Sequence, residues 1–276
     1  MNLMGMKEFK KIAVQAALKG GEILSRHRGK VKKIGYKSEV NLVTDVDRIS
    51  EEAILRIIKS NFPDHAILTE ESKEFIPENE KSKSIYEWII DPLDGTTNYA
   101  HGLPIYCVSI ALEENGKIIL GVVYNPNLDE LFVAERGKGA LLSEGWGSAK
   151  RKRKILVAQT AELSQSLLAT GFPYDIRTSK INNLDHFSNF YKKAQAVRRG
   201  GSAALDLCYL AMGRFDGFWE LKLSPWDTAA GSLMVEEAGG KVTDFLGGPF
   251  NIYLKEILAT NRKIHEQMID VLKLSL

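Results

Sequence analysis

Cysteine is nearly absent from this chain: there are two in 276 residues, Cys107 and Cys208. Neither stands at a metal-ligand spacing and both sit in apolar runs, so they read as small buried hydrophobes, and no zinc site is expected. Histidine is also sparse. The five are scattered, and His65 and His101, which lie near the motifs described below, read as structural. An excess of one charge is missing too, since 37 basic and 35 acidic side chains leave a net +2, which argues against a general nucleic-acid or membrane-surface role. No apolar run approaches the ~20 residues of a membrane span, and residues 1–11 lack the apolar core and cleavage site of a secretory signal. The expected location is cytoplasmic. No proline- or serine-rich linker, internal repeat or low-complexity tract divides the chain.

What is present is the makeup of a large globular protein. A 44% hydrophobic and 26% charged composition over this length builds one large domain or two packed halves with a sizeable core. Helical spacing of apolar residues covers 9–28. A second helix opens at Thr44, with Asp47 three residues on completing a capping-box pattern, and stops at Pro63. Strands are expected at 66–68 and 85–90, followed by an antiparallel meander over 105–112, 118–124 and 130–134 with turns at Asn115-Gly116 and Pro126-Asn127. Beyond residue 150, strands at 167–170, 217–220 and 257–259 alternate with helices at 183–194, 202–212, 226–238 and 263–274. The expected fold is α/β, with helices layered on mixed and antiparallel sheets in two packed subdomains, 1–150 and 151–276. The basic run Lys150-Arg151-Lys152-Arg153-Lys154, between Gly145-Trp146-Gly147 and Ile155-Leu156-Val157, reads as a solvated hairpin loop; contact with RNA or another acidic partner is the alternative.

The densest chemical signal is Trp88-Ile89-Ile90-Asp91-Pro92-Leu93-Asp94-Gly95-Thr96-Thr97-Asn98. An apolar strand closes at Asp91, Pro92 starts a tight turn, and Asp94 is expected to come round beside Asp91. Two carboxylates in one small space repel unless a proton or cation lies between them. Gly95 allows close backbone approach, and Thr96-Thr97 can open a helix whose free N–H groups favour an anion. Cation-binding acids beside an anion-binding turn suit metal-dependent phosphate chemistry, although Asp-Pro-x-Asp-Gly is also ordinary turn composition. Other modest signals follow along the chain: Glu70-Glu71 after a strand, Gly200-Gly201-Ser202-Ala203-Ala204 before a helix, Glu220 at a strand end, and Asp227 in the first turn behind Pro225-Trp226. Each has a plain structural reading, as surface charge, N-cap or dipole complement.

Taken in order, Glu70, Asp91-Pro92-Leu93-Asp94-Gly95-Thr96-Thr97-Asn98, Gly201-Ser202-Ala203-Ala204 and Trp226-Asp227-x-Ala229-Ala230-Gly231 resemble the inositol monophosphatase family of lithium-sensitive, Mg²⁺-dependent sugar phosphatases, from Leu42-Val43-Thr44-x-x-Asp47 to Glu237-Ala238-Gly239-Gly240. The resemblance implies that Glu70, Asp91, Asp94 and Asp227, with the Leu93 carbonyl, hold two Mg²⁺ ions, a third being left open. It implies that Thr96 and Asp47 orient the attacking water, with Glu70 also among the catalytic groups. Gly95 and Thr96 would cradle phosphate, with Asp94, Asp227 and Gly201, Ser202 and Ala203 bordering the substrate, while Glu220 binds its hydroxyls. Lys37 falls in what resembles a mobile loop near the weaker metal site, and Asn41 stands where many relatives carry Asp. A homodimer is also implied.

The function expected from this resemblance is hydrolysis of myo-inositol monophosphate, or a related sugar or polyol phosphate, by metal-activated water. Fructose-1,6-bisphosphatase, alone or as a dual activity, is the second reading, with Arg198 or Arg199 as the place for a second phosphate. An RNA- or polymerase-associated regulator acting through 150–154 is a third. The haloacid-dehalogenase-like phosphatases, which use a nucleophilic aspartate two residues before its partner, are set aside by the Asp91-x-x-Asp94 spacing.

Overall fold

Alternating apolar residues that are buried on both sides of a strand require a layer on each face of the sheet. In the computed structural model, which describes residues 3–29, 34–36, 42–75, 84–145 and 151–275, this produces five layers, α-β-α-β-α. Between the first helices in chain order, α1 (Leu3–His27) and α2 (Asp45–Asn61), stand β1 (Ile34–Tyr36) and β2 (Leu42–Thr44), which pair antiparallel. The large sheet then takes up β3 (Ala66–Thr69), β4 (Lys73–Phe75), β5 (Tyr86–Asp94), β6 (Cys107–Glu114), β7 (Lys117–Asn125), β8 (Glu130–Glu135), β9 (Gly139–Glu144) and β10 (Arg151–Ile155). Its order is 10-9-8-7-6-5-3-4, antiparallel except where β3 runs parallel to β5. A short helix, α3 (Thr96–Ala100), follows β5.

The second sheet contains β11 (Leu167–Thr170), β12 (Ala196–Arg198), β13 (Gly217–Leu221), β14 (Lys241–Thr243) and β15 (Glu256–Thr260), in the order 12-11-13-15-14. Its helices are α4 (Leu184–Tyr191), α5 (Ala203–Ala211), α6 (Pro225–Glu237) and α7 (His265–Leu272). Alternation sorts the side chains. Trp88 and Ile90 of β5 pack with α1 and α2, whereas Ile89 joins α5 and α6 on the opposite face. In β13, Phe218 faces that same central layer and Trp219 the outer layer with α7. Helix α6 is buried on every face from Thr228 to Val235, as expected of a helix sandwiched between two sheets. A Cβ on Gly121 would stand 2.8 Å from the Ala230 carbonyl oxygen, so glycine is what lets α6 lie against β7.

Most expected elements form, including the capping box at Thr44 and Asp47 and the buried cysteines. Two local expectations change. Residues 151–154 are no hairpin loop: they form the exposed edge strand β10, paired to β9, and residue 150 lies outside the described residues. Four basic side chains on an edge strand discourage pairing with another sheet, which accounts for the run without a nucleic-acid partner. Strand β5 also does not close at Asp91 but continues to Asp94 through a bulge.

Leu233 is fully buried in the central layer. Leu233→Ala is expected to lower stability by ~2–5 kcal/mol, the usual cost of a core truncation. Urea unfolding measures this, and a loss under ~1 kcal/mol would mean that the two sheets close over the gap.

Candidate active site

In a flat strand, residues three apart point to opposite faces. Asp91 pairs with Ser109 and Asp94 with Cys107, so β5 spends three steps where β6 spends two. That one extra residue brings the two acids to the same side, and proline is tolerated there because a bulge needs no N–H from it. Asp91 Oδ1 accepts from the Leu93 amide at 2.9 Å, and Ser50 Oγ donates to the Pro92 carbonyl at 3.0 Å, holding the bulge from both sides. Because β3 runs parallel to β5 with Thr69 opposite Ile90, the next residue, Glu70, comes to the same sheet end as Asp91.

Gly95 turns the chain with φ at 97°, and a Cβ there would stand 2.8 Å from the Ile105 carbonyl oxygen. Thr96 follows, its hydroxyl 2.9 Å from Asp47 Oδ1 and 3.1 Å from the Leu93 carbonyl. Asp47 is fully buried and receives the Thr44 amide at 2.9 Å on Oδ2, so the capping box of α2 also fixes the carboxylate that Thr96 meets. Asn98 Nδ2 lies 2.8 Å from the Ile105 carbonyl and 2.9 Å from that of Gly200, tying α3 to the second half of the chain.

The second half completes the site through two helix starts. Asp94 Oδ2 accepts from Ser202 Oγ at 2.7 Å and from the Ala204 amide at 2.8 Å, so it rests on the N-terminus of α5. Asp227 occupies the third position of α6, where its Oδ2 accepts the Ser224 amide at 2.7 Å behind Pro225. Glu220 is buried on β13. Gly171 makes room for it: a Cβ there would stand 2.0 Å from Glu220 Oε1.

These elements surround a cavity of about 780 Å³ lined by Glu70, Asp91, Leu93, Asp94, Gly95, Thr96, Glu220 and Asp227. A smaller chamber of about 90 Å³ adjoins it, sharing Asp94, Glu220 and Asp227 and adding Gly201, Ser202, Ala203, Arg199 and Asp206. Burial, then the neighbouring Glu70, Asp94 and Asp227, pushes the Asp91 carboxyl well above its ordinary range. Asp227 is raised by burial and then by Asp94 and Glu70. Asp94 is raised to about 6 by burial, against the bonds from Ser202 and Ala204 that lower it. Glu220 is raised by burial and by Asp206, with Arg199 opposing. So many acids in one dry space cannot all ionise without a counter-charge.

A model of the inositol monophosphatase family matches residues 5–275. The chain belongs to this family. It is 45% identical over 262 residues to the inositol-1-monophosphatase of Synechocystis sp., covering 95% of this chain and 87% of that protein. It is 40% identical to a putative Nus factor SuhB of Neisseria meningitidis serogroup B, over 97% and 98% of the two chains. The solved inositol monophosphatase of Anabaena (Nostoc) sp. PCC 7120 superposes with a TM-score of 0.84 at 44% identity, covering 98% and 97%. The chain is thus a phosphoric monoester hydrolase of the inositol monophosphatase type.

Within this family fold, eight of the expected residues line the larger cavity, and Gly201, Ser202 and Ala203 line the smaller one. Ser202 is turned onto Asp94 by its hydrogen bond, and Asp47 stands behind Thr96. Lys37 and Asn41 lie outside the described residues. Of the two arginines, Arg199 reaches the smaller chamber, while Arg198 turns back to the Val197 carbonyl. Among the described residues, no three His, Cys, Asp or Glu side chains stand gathered closely enough to hold a metal ion. The donor set that rings the cavity is nevertheless all oxygen and strongly acidic, which fits a hard divalent cation. Sequence reasoning missed Asp206, Tyr174, Asp175 and Lys222; the first is buried beside Arg199 and the others line the cavity wall. The long stretch between β11 and α4 was the available signal for Tyr174 and Asp175, since structureless connections of that length tend to be functional.

The Asp94 carboxyl has a pH consequence. Its native pKa of about 6 lies above the ordinary 3.8, so the folded state holds the extra proton between these values. Stability of the metal-free protein therefore falls as pH rises across that window and levels off above it. Urea midpoints of chelator-treated wild type, taken relative to Asp94→Asn, should fall from pH 4 to pH 6; a difference that stays flat or rises contradicts the assignment.

Proposed function

We propose that the chain hydrolyses myo-inositol monophosphate, or a closely related polyol phosphate, with Mg²⁺ bound by Glu70, Asp91, Asp94, Asp227 and the Leu93 carbonyl. The observation that carries this reading is the convergence of those four acids on one cavity, beside the Thr96–Asp47 hydrogen bond. Two ions are proposed. Bound Mg²⁺ would neutralise the phosphate dianion and make a water acidic enough to attack at neutral pH.

The chain's own residues do the rest. Thr96 Oγ1 donates to Asp47 Oδ1, which leaves the hydroxyl oxygen to accept a hydrogen from a water in the cavity. Burial raises the proton affinity of Asp47, so it is suited to take up the proton that passes through Thr96. Ser202 and the Ala204 amide hold Asp94 in one orientation, and Ser224 does so for Asp227. Gly95 and Thr96 present backbone to the phosphate, with Gly201 and Ala203 bordering the ester. Glu220, buried and with no Cβ on Gly171 to block it, accepts hydrogen bonds from the polyol hydroxyls. No side chain is phosphorylated in this scheme.

Fructose-1,6-bisphosphatase activity is the second reading, and Arg199 is the observation in its favour. The guanidinium lies in the chamber it shares with Asp206 and Glu220, which makes that space a poor one for a second phosphate and favours the monophosphate. Hydrolysis also takes precedence over a purely regulatory role like that implied by the name of the Neisseria relative, because the whole acid set is in place. The proposal includes subdomains meeting near residue 150 across the Asp94–Ser202 contact, a homodimer, and a cytoplasmic location; no described helix is long and apolar enough to cross a membrane.

Chelation is expected to abolish release of phosphate from myo-inositol 1-phosphate and Mg²⁺ to restore it, whereas Ca²⁺, with looser coordination, supports little turnover. Full activity in excess EDTA would end the metal reading. Glu220→Gln should reduce kcat/KM for inositol phosphate by about tenfold or more while affecting an aryl phosphate less, since a buried polar site rejects substrates that leave its groups unpaired. Equal losses on the two esters would instead give Glu220 a structural role.

A further inference from the structure

Lysine rarely occupies the left-handed region of backbone space, where its Cβ crowds the following carbonyl. Lys222 does so, with φ at 61°, directly after β13 and two residues beyond Glu220. Its amide donates to the Lys255 carbonyl at 2.6 Å, which fixes this conformation as β13 turns towards α6. The side chain crosses to the segment between β11 and α4, where Nζ lies 2.6 Å from Asp175 Oδ2 and 2.8 Å from Ser179 Oγ.

That segment is fixed at its foot and tied at its crown. At the foot, Asn183 Nδ2 reaches Thr170 Oγ1 at 2.7 Å and the Gly171 carbonyl at 2.6 Å, and Trp219 Nε1 donates to Asn183 Oδ1 at 2.7 Å. Its middle is a compact run of turns, with the Ile176 amide on the Pro173 carbonyl and the Thr178 and Ser179 amides on that of Asp175. Lys222 provides the tie from across the cavity. Phe172, Pro173, Tyr174 and Asp175 line the same cavity as the acids, and Phe172 and Tyr174 border both chambers. Tyr174 is half-exposed, yet burial and then Glu70, Asp94, Asp227 and Asp91 hold its phenol in the protonated form. Its hydroxyl is therefore a neutral hydrogen-bond donor within the field of the acid ring.

We propose that Lys222 is a positioning residue for substrate selection: by tying Asp175 and Ser179 across the mouth of the cavity, it holds Tyr174 against the alcohol part of the substrate. This rests on the polyol-phosphatase reading above. A phosphate held at the acids through the proposed Mg²⁺, and by Gly95, would leave its alcohol to the rest of the cavity lining, where Tyr174 and Glu220 offer one donor and one acceptor.

Glycine fits the Lys222 backbone without strain, so Lys222→Gly removes the tie and spares the fold. With Mg²⁺ present, this variant should raise KM for myo-inositol 1-phosphate roughly fivefold, the size expected for loss of a part-exposed ion pair, with kcat within about twofold of wild type. KM for p-nitrophenyl phosphate, whose leaving group carries no hydroxyls, should rise much less. Lys222→Arg should recover most of the selectivity. Tyr174→Ala should show the same split, and combining it with Lys222→Gly should add little, as for two residues acting through one contact. Raised salt should increase KM for inositol phosphate in wild type more than in Lys222→Gly, because the tie is partly exposed and screened. A Lys222→Gly enzyme with wild-type KM for inositol phosphate, or with equal rises on both esters, overturns the inference and leaves the phosphatase reading intact. A wild-type protein that hydrolyses neither ester with Mg²⁺ overturns both.

Discussion

Several carboxylates share one buried space at the strand ends of two sheets, and the surrounding structure supplies what makes this tolerable. Bringing such groups out of water is costly unless each is hydrogen-bonded and the set meets a counter-charge. Asp91 takes a backbone amide from its own bulge, Asp227 takes one from its own N-cap, and Asp94 takes two donors from the start of α5. Each acid is anchored by a backbone feature that was going to exist anyway. The residual repulsion shows as raised proton affinity on Asp91, Asp94 and Asp227, the state that a bound cation would relieve.

The layered architecture follows from the same requirement. Helices α5 and α6 are buried on all sides because they lie between the sheets, and their N-termini therefore open onto the interface rather than onto solvent. The acids gathered there can meet β3 and β5 from one sheet and β13 from the other. Asp94–Ser202 and Asn98–Gly200 cross this interface directly, so the contacts that shape the site also join the two halves of the chain. A disturbance of the central layer would be felt at the cavity for the same reason.

Legibility tracked the range of the interaction. The Thr44–Asp47 capping box was readable because both partners lie within one turn, and its expected hydrogen bonds are present. Strands β5 to β8 were readable because buried strands show sustained apolar runs with turn residues between them. The edge strands β10, β12 and β14 were not: they are short, three or five residues, and β10 is almost wholly basic. Their strand character comes from a neighbour offering free backbone groups, which no local pattern records. The bulge was similarly hidden, since Asp-Pro-Leu-Asp reads as a turn until the register of β6 is known. Lys222 gave no local sign of reaching Asp175, a residue that is distant in the chain.

Residue types and their local order decide which groups can do chemistry and which short segments carry them. Carboxylate, glycine and threonine types in order, N-cap residues before apolar helices and alternating runs for strands are all one-dimensional facts with local physical causes. Tertiary structure decided how those groups face one another. It put Asp91 and Asp94 on one side through an extra residue in β5, gave Ser202 to Asp94, placed Arg199 rather than Arg198 in the chamber beside Glu220, and set Tyr174 in the lining of both chambers. Each of these depends on register between strands or on the packing of distant layers. Such relations are fixed only when the whole chain buries its apolar surface at once, so no short stretch of the sequence can encode them alone.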